Sequence, residues 1–188
     1  MPPHSEPPAR HNAADWNVVV TVAEQGFREA VRLLRRWGAV RSTHYYNVLA
    51  MTVGDPQAFL AEFAAALVAS PGIRNFVSHV IPAQQTFDFA TAEEFDERAR
   101  EAVLAWAPRL TGKSFHVRLH RRGLKHVLSS PREERFLDDA LLQAPHPAGR
   151  IDFADPDAVI QVETIDGRAG LSLWTREDRC RYPFLGTE

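Results

Sequence analysis

The hydrophobic pattern divides the first half of the chain into short apolar runs and amphipathic stretches. Runs of strand length, rich in β-branched and aromatic residues, predict four strands at residues 16–22, 40–44, 46–53 and 73–81. Apolar residues recur at helical spacing after Phe27 and after Pro56, where Asp55 offers an N-cap and Pro56 stands in the first turn. This half therefore predicts the order strand, helix, strand, strand, helix, strand.

The second half contains two more helical stripes and three more strand candidates. Thr91 with Glu94 forms a capping box in front of one stripe, and Ser130 with Glu133 forms another in front of the second. The strand at 114–122 alternates strictly, with apolar side chains on one face and histidines and arginines on the other. Two further strands are expected at 158–164 and 170–175, joined by a turn at 166–167.

These two patterns predict an α+β protein built from two modules. The order in the first half is that of a ferredoxin-like split βαβ unit, in which two helices cover one face of an antiparallel sheet. A length of 188 residues suits two small domains. The expected boundaries are a disordered tail at 1–14, the ferredoxin-like domain at 15–82, a linker at 83–89, a second α/β domain at 90–177 and a C-terminal tail at 178–188.

Composition excludes several classes of protein. Apolar residues make up 45% of the chain, which is enough for real cores and rules out disorder throughout. The longest apolar runs are too short to span a bilayer, and the first residues lack the apolar core of a signal peptide. A single cysteine, Cys180, favours a reducing compartment. We therefore expect a soluble, cytoplasmic protein with no membrane partner.

Motifs of enzyme chemistry are present only in part. Residues 107–114 fit a relaxed phosphate-loop pattern, but a helix precedes them and a strand follows, the reverse of what a phosphate loop needs. His116 and His120 lie about 13 Å apart on one strand face, too far for one metal ion. Cys180 has no recognisable catalytic partner, and the acidic run at 93–97 suits the first turns of a helix. No catalytic residue, metal or cofactor is predicted.

The distribution of charge is more informative than its total. With 22 Lys and Arg against 24 Asp and Glu, the net charge of −2 argues against a polycation. Residues 113–135 nevertheless carry seven cations against two glutamates, which makes this basic segment +5 and leaves −7 for the rest of the chain. Such polarity orients a polyanion on one patch. The seven cations are Lys113, Arg118, Arg121, Arg122, Lys125, Arg132 and Arg135.

Four sequence blocks resemble the THUMP family. They are FHVRLHRRG at 115–123, SPREER at 130–135, IDFADPDAVIQVE at 151–163 and GLSL at 170–173. The resemblance covers residues 90–176 and implies a THUMP α/β domain, a domain that a ferredoxin-like module commonly precedes. The family's usual glycine after the second block is replaced by the run FLDD. THUMP domains are RNA-binding modules of tRNA-modifying enzymes, so the resemblance implies tRNA as a partner.

The resemblance predicts a tRNA-binding adaptor that is not itself an enzyme. No methyltransferase, thiouridine synthetase or pseudouridine synthase domain is recognisable, so a separate tRNA-modifying enzyme is expected as partner, with a cytidine N4-acetyltransferase as one candidate. The alternatives are a stand-alone RNA-modifying enzyme that uses the basic strand and the Gly112-Lys113-Ser114 loop, and a protein-interaction module.

The expected RNA-binding residues come from the basic segment and its loop. Gly123 is included because a backbone without Cβ can approach phosphate closely. The full set is Lys113, Arg118, His120, Arg121, Arg122, Gly123, Lys125 and Arg132.

Overall fold

The computed structural model describes residues 15–145 and 149–187, which form two β-sheets. In the first sheet all neighbouring strands are antiparallel, in the order β2-β3-β1-β4. Helix α1 follows β1, and helix α2 follows β3, so the predicted order of elements is the observed one. The elements are β1 Val18–Val22, α1 Phe27–Leu34, β2 Gly38–Ser42, β3 Val48–Val53, α2 Pro56–Ala69 and β4 Val77–Pro82.

The second sheet has five strands in the order β5-β9-β8-β6-β7. Strand β6 runs parallel to β7 and β8, whereas β9 is antiparallel to β8 and to β5, so the sheet is mixed. The elements are β5 Gln85–Asp88, α3 Ala92–Leu104, α4 Ala107–Leu110, β6 Lys113–Arg122, α5 Ser130–Leu142, β7 Gly149–Ile151, β8 Ala158–Ile165, β9 Arg168–Thr175 and α6 Arg176–Arg181. An antiparallel sheet and a mixed sheet with flanking helices confirm an α+β protein.

Strand β6 is the central positioning element of the second sheet. Its apolar side chains Phe115, Val117 and Leu119 are buried in the core formed with α3 and α5, which leaves the polar side chains on the other face. Strand β7 pairs with β6 only from Lys113 to Phe115. Beyond that point helix α5 supplies the acceptors: Asp138 Oδ1 accepts the Val117 N–H at 2.9 Å, and Glu134 Oε1 accepts the Leu119 N–H at 2.7 Å.

The helix starts illustrate how local sequence sets the elements. Asp55 Oδ1 accepts the N–H groups of Gln57 and Ala58, as an N-cap should. Thr91 Oγ1 likewise accepts the N–H of Glu94 at the start of α3. At α5 the residue in the N-cap position is Ser129 instead of the predicted Ser130, so the helix begins one residue earlier than expected.

The segment predicted as a linker, 83–89, contains strand β5. This strand pairs with β9 from Gln85 opposite Leu171 to Asp88 opposite Arg168. Four residues are too few for an alternating pattern to stand out from a loop, so only the pairing with β9 identifies the strand. The three-residue strand β7 was missed for the same reason.

The C-terminal segment is built into the first sheet's core. Where a tail at 178–188 was expected, the described residues complete α6 and then bury Tyr182, Phe184 and Leu185 among residues of α2 and the first sheet. The rings of Phe184 and Phe63 lie 5.1 Å apart, and the Phe184 carbonyl accepts the Val80 N–H at 2.9 Å. The predicted tail at 1–14 lies outside the described residues.

The two sheets meet through a small apolar cluster and a buried arginine. Trp16, Val19, Ala83 and Ile165 pack together between them. Arg168 donates to the Trp16 carbonyl at 3.1 Å and also to Thr86 and Asp88 of β5. These contacts fix the polar face of β6 beside the first sheet. Within the described residues, no helix has the length and apolar character needed to cross a bilayer.

Candidate nucleic-acid interface

Two adjoining cavities open between the first sheet and the polar face of β6. One, of about 570 Å³, is lined by Thr21 and Ile81 of the first sheet and by His120, Arg121 and Arg122 of β6. The other, of about 740 Å³, extends past Arg118 to the loop before β8 and to α6. His79 and Gly186 line both cavities, and the two cavities together are called here the arginine groove.

The charge of the arginine groove is almost entirely positive. Among the residues that the structure describes, Asp155 is the one acidic residue that lines it, and Asp155 is paired with Arg176. A concave surface lined by cations attracts a polyanion, and the affinity of such binding falls as the salt concentration rises. The arginines that line the groove are Arg74, Arg118, Arg121, Arg122, Arg176 and Arg179.

A buried carboxylate lies beneath the groove and organises part of β6. Glu163 of β8 is 1% exposed and accepts hydrogen bonds from His120 Nδ1 at 2.8 Å, from Gln161 Nε2 at 3.0 Å and from Arg122. Burial on its own raises the pKa of Glu163, but the hydrogen bonds and charges of His120 and Arg122 outweigh it and hold that pKa below its usual value. His120 and Arg122 are therefore fixed in orientation by an ion-pair network.

Arg118 stands apart from this network. It is exposed, and it makes no hydrogen bond or ion pair with any residue in the described part of the chain. Its neighbour on the same face, His116, is buried and donates from Nδ1 to the Asp152 carbonyl at 3.0 Å. Burial lowers the pKa of His116, so this ring is neutral near pH 7. Arg118 is thus a groove cation of β6 that uses none of its donors within the described residues.

Gly123 has a structural role that differs from the one expected. Its φ of +87° favours glycine, and a Cβ would lie 2.3 Å from the hydroxyl of Tyr45 and 2.7 Å from Asp166 Oδ1. The Tyr45 hydroxyl donates to Asp166 at 2.6 Å, and burial with this bond raises the pKa of Tyr45 to about 12. The backbone at Gly123 is therefore covered by Tyr45 from the first sheet's β2–β3 loop, and Arg121 donates to the Gly123 carbonyl at 2.8 Å.

The remaining predicted residues lie outside the groove. Lys113 is exposed at the other end of β6, about 30 Å from Arg122 at the usual rise per strand residue. Lys125 is exposed in the turn after β6. Arg132 is committed to Asp96 at 2.6 Å and to buried Glu133 at 2.5 Å, which raises the pKa of Arg132. The structure thus brings together Arg118, His120, Arg121 and Arg122, and separates the other four residues from the groove lining.

Sequence reasoning missed the cations that other segments contribute. Arg74 lies in the turn before β4, and Arg176 and Arg179 lie in α6, which the charge sum had assigned to an acidic remainder. The sequence does contain a signal for helix α6, because Thr175 and Asp178 form a capping box at its start. That helix carries Arg176 and Arg179. No group of His, Cys, Asp and Glu in the described ranges could hold a metal ion.

The phosphate-loop match has the geometry expected of a helix-to-strand connection. Helix α4 precedes Gly112, and β6 begins at Lys113. Ser114 is buried, and its hydroxyl and N–H both donate to Asp157 Oδ2. Those hydrogen bonds and the Arg176 side chain lower the pKa of Asp157 to about 2. Ser114 therefore holds the start of β8 and is closed to a phosphate.

No protein-family model matches the chain, but several curated proteins named tRNA sulfurtransferase are similar to it in sequence. The tRNA sulfurtransferase of Shewanella loihica is 26% identical over 161 residues, which is 80% of this chain and 30% of the relative. The tRNA sulfurtransferase of Saccharophagus degradans is 35% identical over 105 residues, or 56% of this chain and 20% of the relative. The chain spans less than a third of the length of these relatives.

Solved structures of low sequence identity share the fold. PH1313 from Pyrococcus horikoshii superposes with a TM-score of 0.57 at 17% identity, over 86% of this chain and 55% of the other. TrmN from Thermus thermophilus gives 0.57 at 21% identity, over 84% and 44%. A 4-thiouridine synthetase, solved with RNA and bound ATP, gives 0.52 at 14% identity, over 86% and 42%.

These comparisons confirm one part of the predicted function and correct another. The curated relatives are named for tRNA modification, which agrees with the predicted theme, and their names give no support to the more specific prediction of an acetylation adaptor. The prediction that the chain is not an enzyme is wrong, because the curated relatives are named as sulfurtransferases and so point to an enzyme.

Proposed function

We propose that this chain is the tRNA-binding part of a tRNA-modifying enzyme of the sulfurtransferase class, and that RNA lies in the arginine groove. The observation that carries the proposal is the groove itself, where six arginines from three separate segments line one concave surface. Similarity to tRNA sulfurtransferases over 80% of this chain supplies the nature of the polyanion and the class of chemistry.

The architecture supports a division into a ferredoxin-like unit and a THUMP domain. The sheet order β2-β3-β1-β4 with helices after β1 and β3 matches the split βαβ arrangement. The mixed sheet then corresponds to the predicted THUMP domain, and the groove lies where the two units meet. In this arrangement each unit contributes cations: Arg74 from the first, and Arg118, Arg121 and Arg122 from the second.

The roles of the groove residues follow from their partners. Arg118 is free to pair with a phosphate, and Arg74 uses only one contact, to the Ser78 carbonyl at 3.1 Å. Arg122 and His120, held by Glu163, present donors in fixed directions. Lys125 flanks this end of β6 and is proposed as a peripheral phosphate contact, whereas Lys113 and Arg132 are too remote or too fully paired for the same RNA segment.

Binding measurements against salt test the RNA site. For wild-type protein and unmodified tRNA, the affinity should fall steeply with salt, because neutralised phosphates release counterions. Arg118→Ala should weaken binding and make the slope of log K against log salt shallower by about 1. Arg132→Ala is the matched control, since it removes an arginine from the same sequence segment without touching the groove. Equal slopes for wild type and Arg118→Ala, or an equal loss with Arg132→Ala, would place the RNA elsewhere.

Nucleoside analysis tests the class of chemistry. Cells that lack the gene should lose a sulfur-containing nucleoside from their tRNA, measured by mass spectrometry, and re-expression of the full protein should restore it. An unchanged set of thiolated nucleosides together with loss of another modification would refute the sulfurtransferase class while leaving tRNA binding intact. Incubating purified protein with tRNA, ATP and a sulfide donor then shows whether this chain suffices for the reaction.

A further inference from the structure

One wall of the arginine groove carries an exposed aromatic ring. Phe153, in the loop between β7 and β8, is 73% exposed and lines the larger cavity. The other large hydrophobic side chains that the described residues leave exposed, Tyr46, Val68 and Leu142, do not line the groove. A phenylalanine left in water forgoes about 1.5–3 kcal/mol of burial, and here the exposed ring lies beside arginines in the same cavity.

The loop that holds Phe153 is fixed by hydrogen bonds on both sides. The Asp152 carboxylate accepts the N–H groups of Ala154 at 2.9 Å and Asp155 at 3.1 Å. The Asp152 N–H donates to the Phe115 carbonyl of β6 at 3.0 Å, and the Asp152 carbonyl accepts from His116. The ring is thus presented on an ordered turn that is tied to β6.

A second ring supports Phe153 from below. The centroids of His116 and Phe153 are 5.5 Å apart, and their planes are inclined by 38°. His116 is buried on β6 and neutral near pH 7, so it backs the phenyl ring as an uncharged aromatic. The other face of the phenyl ring is left to solvent, inside a cavity whose lining also includes Arg74, Arg118 and Arg179.

We propose that Phe153 is a stacking platform for an unpaired nucleobase, with the surrounding arginines contacting the phosphates on either side of that nucleotide. This inference rests on the proposed RNA-binding function and adds the state of the nucleotide to it. In a duplex each base face is covered by its neighbours, so a ring can stack only on a base that has left the helix or lies in a single strand. Aromatic rings in cationic grooves bind single strands in this way with little base preference.

Substitutions at Phe153 separate stacking from charge and from simple apolar contact. The probes are a short single-stranded oligoadenylate and an oligonucleotide of the same length with abasic sites, and the readout is fluorescence anisotropy. Phe153→Ala should weaken oligoadenylate binding about 5- to 100-fold, the range for loss of one base–aromatic stack. Phe153→Trp should retain the affinity, and Phe153→Leu should lose it. The salt slope should stay the same in all three, because no charge is removed.

The abasic probe and a second aromatic residue are the controls. Wild type and Phe153→Ala should bind the abasic oligonucleotide equally. Tyr46→Ala removes an aromatic side chain of the same exposure away from the groove and should leave oligoadenylate binding unchanged. Since Phe153 is largely exposed, its variants should keep the wild-type thermal midpoint, which circular dichroism verifies.

The possible outcomes distinguish a failure of base stacking on Phe153 from a failure of RNA binding in the arginine groove. If wild type binds neither tRNA nor oligoadenylate, the proposed function fails. If wild type binds oligoadenylate and Phe153→Ala binds it equally well, the platform is refuted and the groove remains an RNA site. If Phe153→Leu retains full affinity, the ring contributes apolar contact without stacking, which also overturns the platform.

Discussion

Each side of β6 has a buried carboxylate and an arginine, but their pKa shifts and their ion pairing differ between the two sides. On the groove side, buried Glu163 accepts from His120 and Arg122, and its pKa is lowered. On the side of α5, buried Asp138 accepts the Val117 N–H but faces no cation, and burial raises its pKa to about 7. The arginines differ as well: Arg118 in the groove has no partner among the described residues, whereas Arg132 of α5 is paired twice.

This difference shows why a sum of charges along a segment does not locate a binding surface. A cation contributes to an external field only if the fold leaves it without an internal carboxylate, and a carboxylate repels RNA only if it is neither buried nor paired. Residues 113–135 contain cations of both kinds. Among the described residues, the fold leaves Arg118 unpaired on the groove side of β6 and pairs Arg132 twice on the α5 side.

The largest expected effect concerns Glu163. Glu163→Ala leaves His120 and Arg122 unpaired beneath the groove, which should lower the free energy of unfolding by about 3–5 kcal/mol. Glu163→Gln should cost less, since the amide oxygen still accepts from Arg122. Urea denaturation at pH 7 measures both. A loss below about 1 kcal/mol for Glu163→Ala would mean that water replaces the carboxylate and that the network is not a buried one.

The stabilisation that Glu163 provides should depend on pH in the acid range. Because the folded pKa of Glu163 is lowered, its stabilisation is present above the unfolded value and is lost as pH falls through the folded value. The difference in unfolding free energy between wild type and Glu163→Gln should therefore shrink below pH 4. A constant difference across the acid range would contradict the ion-pair assignment.

The second largest effect concerns Asp138, whose substitution should raise the free energy of unfolding instead of lowering it. Its folded pKa of about 7 lies above the unfolded 3.8, so its contribution is favourable below pH 4 and is lost as pH rises through 7. Asp138→Asn keeps an acceptor for the Val117 N–H and removes the ionisation. We expect it to stabilise the protein by about 1–2 kcal/mol at pH 8, reduced for residual solvent screening, and by almost nothing at pH 4.

Asp139 offers a matched control for this measurement. It lies next to Asp138 on the same helix but is exposed, so Asp139→Asn should change stability little at either pH. If Asp138→Asn instead destabilises the protein at pH 8, the carboxylate is ionised and held by a stronger bond to Val117 than its burial suggests.

The smallest effect is that of Arg132→Ala on stability. Arg132 is half exposed, and solvent screens its pairs, but its removal leaves buried Glu133 without a cation. The unfolding free energy at pH 7 should fall by about 1 kcal/mol. The loss should be smaller at pH 5, because burial raises the pKa of Glu133 and protonation, which a lower pH favours, removes its need for a cation. A variant as stable as wild type at both pH values would show that water satisfies Glu133.

The alternation of β6 predicted its polar face, because a strand places every second side chain on the same side. His120 and Arg122 do share one face, where both reach Glu163. The pairing of Arg132 with Asp96 was not predictable, because 36 residues separate them and only the packing of α5 on α3 joins them. Arg74 and Arg179 were missed for the same reason, since each lies in a segment that tertiary packing brings to the groove.

The burial of Tyr182, Phe184 and Leu185 in the core of the first sheet bears on how the chain folds during synthesis. The strands of that sheet are complete once β4 has been made, yet their core gains its last rings only about a hundred residues later. Contacts of such long sequence separation close slowly, and domains that are contiguous in sequence ordinarily fold first on the ribosome. Here the core of the earlier unit is complete only after residues 182–185 have been made, which also follow Arg176 and Arg179 of the groove.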